Sequence, residues 1–164
     1  MKKLTLLIIG LAYSSCVLSA EWKFTGLSPV VASFIDPSSI KKTSNNTRIV
    51  WEEFVFTNES MQNNTKSSVF KSEYFCKEGS SITLAVVNYS PTGNVINSNY
   101  LKGANEDIVP GSFGENTLDF VCSGKTPQSY VSVPDNPVDA ANRVFSLRAQ
   151  QQASQPEQYT PPPQ

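Results

Sequence analysis

The sequence predicts an α+β fold: an antiparallel sheet of about six strands in a meander, one short helix packed on its concave face, and a partly disordered C-terminal tail. Three observations indicate this class. Between residues 22 and 101, short runs with apolar side chains at alternate positions are separated by turn residues. A capped helix follows at 113–122, and the last residues, 154–164, are rich in Gln and Pro.

Residues 1–20 are typical of a secretory signal peptide, because two lysines precede a short apolar run and small residues follow it. The run has about ten residues, half of what a membrane-spanning helix needs. Cleavage after Ala20 would release the chain, whereas cleavage before Cys16 would make a lipoprotein. Tyr13 at the minus-three position is a poor context for the second route. We expect an exported protein of the outer membrane, cell surface or periplasm, with lipidation at Cys16 as the alternative.

Composition favours one domain of ordinary size. Loss of the leader removes two lysines and no acid, which changes the formal net charge from −1 to −3. A mildly acidic chain has no general attraction for nucleic acid. We assign residues 21–123 to a sheet-plus-helix domain and residues 124–164 to a linker and tail.

Six segments predict the strands of the sheet. The third carries apolar residues on both faces, which indicates a central strand covered on both sides for part of its length. The Asp36-Pro37-Ser38-Ser39 segment is expected to break the second strand, because proline cannot continue a hydrogen-bonded ladder. Tight turns between neighbouring strands favour a meander. The predicted strands are Trp22 to Thr25, Val30 to Ile35, Thr47 to Thr57, Ser67 to Lys77, Ser81 to Tyr89 and Val95 to Leu101.

The sequence VPGSFGENTLDFVC at 109–122 predicts a turn and then a helix from Phe113 to Cys122. Ser112 and Glu115 have the spacing of a capping box, in which the hydroxyl accepts from the Glu115 amide and the carboxylate accepts from the Ser112 amide. A helix of two to three turns is marginal alone. We therefore expect the rest of the fold to hold it in place.

Two cysteines remain after the leader, Cys76 and Cys122. An even pair in an exported chain predicts a disulfide. The alternative is two free buried thiols. A bridge would fix the C-terminal end of the short helix to the core face of the fourth strand.

Several motifs follow one another in a fixed order: Trp22, FIDPSSI at 34–40, RIVW at 48–51, Cys76, VPGS at 109–112 and Cys122. In this combination the chain resembles the surface-adhesin protein E family of bacterial exported proteins, over roughly residues 21–123. The resemblance implies a sheet of about six antiparallel strands with a helix against its concave face. It also implies a cell-surface or outer-membrane protein, since the namesake binds host extracellular-matrix and serum proteins and can dimerise.

Catalytic chemistry has little support in the sequence. The chain contains no histidine, which excludes the Ser-His-Asp triad, the Cys-His dyad and every His-ligated metal site. Glu52 and Glu53 are adjacent in a strand and point to opposite faces, so they cannot flank one glycosidic bond. No glycine-rich stretch forms a phosphate loop. We predict a protein that is not an enzyme and has no catalytic residue, cofactor or metal.

Charge is distributed unevenly along the domain. Residues 41–77 hold six basic residues against four acids, whereas residues 78–119 hold five acids and one lysine. This pattern predicts a basic edge suited to acidic or sulfated host ligands. The alternative is that these side chains solubilise strand edges and block sheet-to-sheet pairing. The candidate ligand-binding residues are Lys41, Lys42, Arg48, Lys66, Lys71 and Lys77.

The C-terminal segment predicts a linker, then a helix over 137–152 with Asn136 as N-cap, then a Pro- and Gln-rich tail. We favour a partly ordered tail that keeps the protein in solution or acts as a spacer. The alternative is a docking segment for a partner or for a second copy of the chain.

Two functional hypotheses follow from these patterns. The first is a non-enzymatic binding module for host matrix or serum proteins, which can form a homodimer. The second is a periplasmic structural or assembly component that docks an envelope protein through its C-terminal tail. Neither hypothesis involves nucleic acid or a transmembrane helix.

Overall fold

The computed structural model describes residues 20–100, 102–124, 131–134 and 136–154. The leader with Cys16 and the tail beyond Ser154 lie outside the described residues. The fold is an antiparallel sheet with one helix on each face, so the α+β class is confirmed. None of the helices in the described part of the chain is long and apolar enough to cross a membrane.

The sheet is built from six longer strands that pair in chain order as an antiparallel meander. They are β1 (Lys23–Leu27), β2 (Val31–Lys42), β3 (Arg48–Phe56), β4 (Ser67–Phe75), β5 (Ser80–Tyr89) and β6 (Val95–Asn99). Two strands of two residues each extend it: β7 (Glu106–Asp107) pairs with β5, and β8 (Val131–Ser132) pairs with β1. The α-helices are α1 (Phe113–Ser123) and α2 (Pro137–Ala153), and a short 3-10 helix, Asn58–Ser60, lies between β3 and β4.

The expected break after Asp36 is wrong, because β2 continues to Lys42. Its register with β3 shifts between Asp36 and Lys41, as at a bulge. Within the bulge the Ser39 hydroxyl accepts a hydrogen bond from the Trp51 amide at 2.9 Å, so a side chain satisfies this donor of β3. Pro37 lies in the same unpaired stretch, where its missing N–H costs no ladder bond.

Helix α1 covers one face of the sheet. Phe120 and Val121 are buried against Ile35, Val50 and Tyr74, which lie on β2, β3 and β4. The disulfide is confirmed: Cys122 in the last turn of α1 is bonded to Cys76, just after β4, with 5.5 Å between the two Cα atoms. Because the bridge closes a loop over 46 positions, it stabilises the fold by about 4 kcal/mol in the chain-entropy model.

Both ends of α1 are capped. The Ser112 hydroxyl accepts from the Glu115 amide at 3.3 Å, as expected, but the Glu115 carboxylate accepts from the Gly111 amide at 2.6 Å rather than from Ser112. The carboxylate therefore reaches one residue further back, into the turn before the cap. Gly124 ends the helix with φ of 68°, a left-handed conformation that glycine adopts without steric cost.

Helix α2 covers the opposite face, where the sequence predicted no layer. Asn136 caps it by accepting from the Asp139 amide at 3.0 Å. Ala140 and Ala141 are buried in a cluster with Ala32, Phe34 and Val55 of the sheet. Two small side chains let the helix backbone approach the strands closely. Part of the segment that the sequence assigned to the tail is therefore an ordered layer of the fold.

Candidate functional site

Four of the six candidate basic residues lie at one end of the sheet. Lys41 and Lys42 end β2, Arg48 begins β3 opposite Lys42, and Lys77 lies in the turn between β4 and β5. We call this group the basic end. A cavity of about 330 Å³ lies beside it, between the β2–β3 loop and the turn that carries Lys77.

The loop at the basic end is held by its own hydrogen bonds. Arg48 donates from Nη1 to the carbonyls of Asn46 and Thr47, at 3.3 and 3.1 Å. The hydroxyls of Thr43 and Thr47 lie 2.7 Å apart, and Thr47 donates to the Glu73 carboxylate at 2.5 Å. These contacts link β3 to β4 across the end of the sheet. The half-buried guanidinium of Arg48 thus positions the loop as well as carrying charge.

Acidic residues lie on the far side of the same end. Glu78 is exposed in the turn that carries Lys77. In β7, Glu106 pairs with Ser81 and Asp107 pairs with Ser80. The charge at this end therefore changes from basic at β2 and β3 to acidic at β7.

The other two candidate residues lie elsewhere. Lys71 is in the middle of β4, with its ammonium 5.8 Å from the centre of the Trp51 ring, a cation–π distance. Lys66 is at the opposite end of the sheet and only 3% exposed. Its ammonium donates to the Phe56 carbonyl at 2.8 Å and to Asn58 Oδ1 at 3.1 Å. Burial lowers the pKa of Lys66, while the charge of Glu59 raises it.

Two adjacent carboxyl groups of β3, Glu52 and Glu53, are buried. Glu52 lies on the α1 face, 5% exposed, and accepts a hydrogen bond from the Tyr74 hydroxyl at 2.5 Å. Burial raises the pKa of Glu52 to about 7, against a smaller lowering by that hydrogen bond. Glu53 lies on the α2 face, 7% exposed; burial raises its pKa too, and a hydrogen bond with the Ser67 side chain opposes the shift.

The expectation that Glu52 and Glu53 point to opposite faces agrees with the register, in which Glu52 pairs with Phe70 and Glu53 with Val69. Within the described ranges, no three Cys, Asp or Glu side chains form a group that could hold a metal ion. The sequence signal that could have predicted these buried carboxyl groups is a glutamate at a strand position that faces the interior, among apolar neighbours.

Glu53 also lines a cavity of about 580 Å³ between the sheet and the N-terminal end of α2. We call this cavity the α2 groove and define it by six lining residues: Trp22, Glu53, Tyr89, Pro91, Pro137 and Asp139. Its existence was not predicted, because it requires α2 to lie on the sheet.

The chain matches a known protein family. A family model described as surface-adhesin protein E matches residues 22–123. The matched segment begins just before β1, ends with the last residue of α1 and includes both bridged cysteines; α2 lies outside it. No curated protein and no solved structure matched the chain. Because the match spans more than half of the sequence, this chain belongs to the surface-adhesin protein E family.

Proposed function

We propose that this protein is an exported, non-enzymatic binding module that engages acidic or sulfated segments of host matrix or serum proteins through its basic end. The observation that carries the proposal is the meeting of Lys41, Lys42, Arg48 and Lys77 at one end of the sheet. Membership of a surface-adhesin family supports protein binding as the general activity.

The state of these side chains supports a binding role. Lys41, Lys42 and Lys77 are exposed. Exposed cations can be reached by an acidic partner and speed its approach. The loop beside them is already held by hydrogen bonds, so less conformational entropy is lost when a ligand binds.

Lys71 and Lys66 have different places in this proposal. Lys71 lies on the sheet beside Trp51 and extends the positive surface along β4. Lys66 is buried, and its ammonium donates a hydrogen bond to the Phe56 carbonyl, so it does not belong to the proposed ligand-binding surface.

How the protein is held in the envelope stays a prediction. The division into a leader at 1–20, a domain at 21–123 and a tail at 124–164 is part of the same prediction, as is homodimer formation. Lipidation at Cys16 would anchor the chain, and cleavage after Ala20 would release it. The competing hypothesis, docking of a periplasmic partner through the tail, gains no support from α2, since Ala140 and Ala141 pack on the protein's own sheet.

The test is binding of the mature protein to immobilised extracellular matrix and to heparin, a sulfated polysaccharide. The double variant Lys41→Glu with Lys42→Glu is expected to weaken binding by about tenfold or more at low salt, and added salt should weaken wild-type binding. The single variant Lys41→Glu is also expected to weaken binding. Its matched control is Lys102→Glu, which reverses one exposed lysine beside β5 that does not belong to the basic end.

Two results would contradict the proposal. One is equal binding by the double variant and the wild type. The other is a protein that surface-applied protease leaves intact on whole cells while cutting it after lysis.

A further inference from the structure

We propose that the α2 groove binds an alkyl-ammonium group, supplied either by a small aliphatic amine or by a lysine side chain of another protein. The inference is independent of the basic end, because it concerns the other end of the sheet and the opposite charge. The wall that α2 forms lies outside the family match, whereas the sheet side of the groove, with Glu53 and Tyr89, lies within it.

The size and lining of the groove fit a ligand site. Its volume, about 580 Å³, lies within the roughly 300–1,000 Å³ that is usual for sites of small ligands. Trp22 precedes β1, Tyr89 ends β5, and Pro91 follows in the next turn. Pro137 at the start of α2 completes an apolar boundary. The lining also contains hydroxyl and amide side chains, so the groove combines apolar walls with hydrogen-bonding groups that can orient a ligand. These are Ser67, Ser90, Thr92 and Asn136.

One polar group of the lining is a buried carboxyl without a cation beside it, Glu53. Glu53 is 7% exposed, and its cross-strand neighbours are Phe34 and Val69, both apolar. Its hydrogen bond is with the neutral side chain of Ser67. A buried carboxylate is costly unless a positive charge compensates it. Among the described residues, no lysine or arginine lines the groove.

Two further features select a cation over an anion. Asp139 adds a second acidic group to the lining, and the rings of Trp22 and Tyr89 can each attract a cation through the π face. The N-terminus of α2, which would otherwise favour an anion, already has the Asn136 cap and the acidic Asp139 in its first turn. The apolar lining suits the methylene chain that carries an ammonium group.

Calorimetric titration of the mature protein with three probes tests this inference. The probes are 1,5-diaminopentane, a capped peptide with one lysine, and the same peptide with that lysine Nε-acetylated. We expect the diamine, the lysine peptide or both to bind. The acetylated peptide should bind at least about tenfold more weakly than the probe that binds. A preference for the diamine indicates a small amine as the natural ligand, and a preference for the peptide indicates a lysine of a partner protein.

The chain offers a matched pair of variants. Glu53→Gln removes the charge in the groove and should weaken amine binding by about tenfold or more. Glu52→Gln removes a neighbouring, equally buried carboxyl on the opposite face and should leave the affinity within about twofold. If Glu53→Gln does not fold, as judged by circular dichroism, Tyr89→Leu replaces it and should weaken binding as well.

Four results would overturn the inference. Two concern the probes: neither the diamine nor the lysine peptide binds, or the acetylated peptide binds as tightly as they do. Two concern the variants: Glu52→Gln and Glu53→Gln lose the same affinity, or a folded Glu53→Gln or Tyr89→Leu protein binds the amine as tightly as the wild type. The Lys41→Glu, Lys42→Glu variant separates the two proposals, because it should reduce matrix binding while leaving amine binding unchanged.

Discussion

The two helices cover opposite faces of one sheet, and they are held there by different means. Helix α1 is joined to the end of β4 by a disulfide and is capped at both ends. Helix α2 has an N-cap but, within the described residues, no covalent link to the sheet; it rests on buried Ala140 and Ala141. The shorter helix is thus fixed to the sheet by a covalent bond, whereas the longer one relies on close packing.

Removal of the disulfide should have the largest effect. The double variant Cys76→Ser with Cys122→Ser is expected to lower the free energy of unfolding by about 4 kcal/mol, because the unfolded chain regains the entropy of an open loop. Urea unfolding followed by circular dichroism measures the change. A loss below about 1 kcal/mol would show that packing alone holds α1.

The buried carboxyl beneath α1 predicts a pH dependence. Burial raises the pKa of Glu52 from 4.5 to about 7 in the folded protein, so the folded state binds more protons than the unfolded state between these values. The stabilisation linked to this group is therefore complete below pH 4.5 and is lost as the pH rises through 7. It amounts to about 3 kcal/mol at most.

Urea unfolding at several pH values measures this dependence. Glu52→Gln should make the free energy of unfolding fall less steeply over that pH range. Glu53→Gln should also reduce the fall, by its own contribution, since burial raises the pKa of Glu53 as well. If the free energy of unfolding of both variants falls with pH as steeply as that of the wild type, the raised pKa values of these two groups are not the cause.

Overpacking under α2 tests the close approach of that helix. Ala141 is completely buried, so Ala141→Leu should lower the free energy of unfolding by about 1–3 kcal/mol. Ala149→Leu is the control, because Ala149 is exposed on the same helix. Equal and small effects of the two variants, measured by urea unfolding, would mean that α2 does not lie tightly on the sheet.

A glycine in β1 marks the contact of this strand with the start of α1. A Cβ atom at Gly26 would lie 2.5 Å from the Phe113 ring, so Gly26→Ala should destabilise the protein by about 1–2 kcal/mol. Phe113→Leu provides the second arm of a double-mutant cycle, because a smaller side chain leaves room for the methyl group. Additive losses in that cycle would contradict a direct clash.

The faces of the strands could be predicted from alternation, since a strand places successive side chains on opposite sides. The α1 cap at Ser112 and the disulfide were also predictable, because they depend on spacing and on residue type. The continuation of β2 through Pro37 was not, since it depends on the Ser39 hydroxyl accepting from a neighbouring strand. Such contacts between distant residues leave no local pattern.

The packing of α2 on the sheet was not predicted, because two of its three buried residues are alanines, which give a weak apolar signal. The basic residues show a similar limit. A count along the chain placed Lys66 with Lys41 and Lys42, whereas the register of the sheet puts it at the opposite end, bonded to the Phe56 carbonyl. The α2 groove depends on the register of the strands and on the packing of α2 against them, so no local motif predicts it.

The position of the two cysteines also sets an order of assembly. Since a polypeptide is synthesised from its N-terminus, Cys76 is made 46 positions ahead of its partner, after β1 to β4 and before α1. The bond cannot form until α1 has followed, so Cys76 stays a free thiol while the sheet is being completed. An oxidant that acts before Cys122 is present finds no correct partner for Cys76, so the disulfide can form only after all six longer strands have been made.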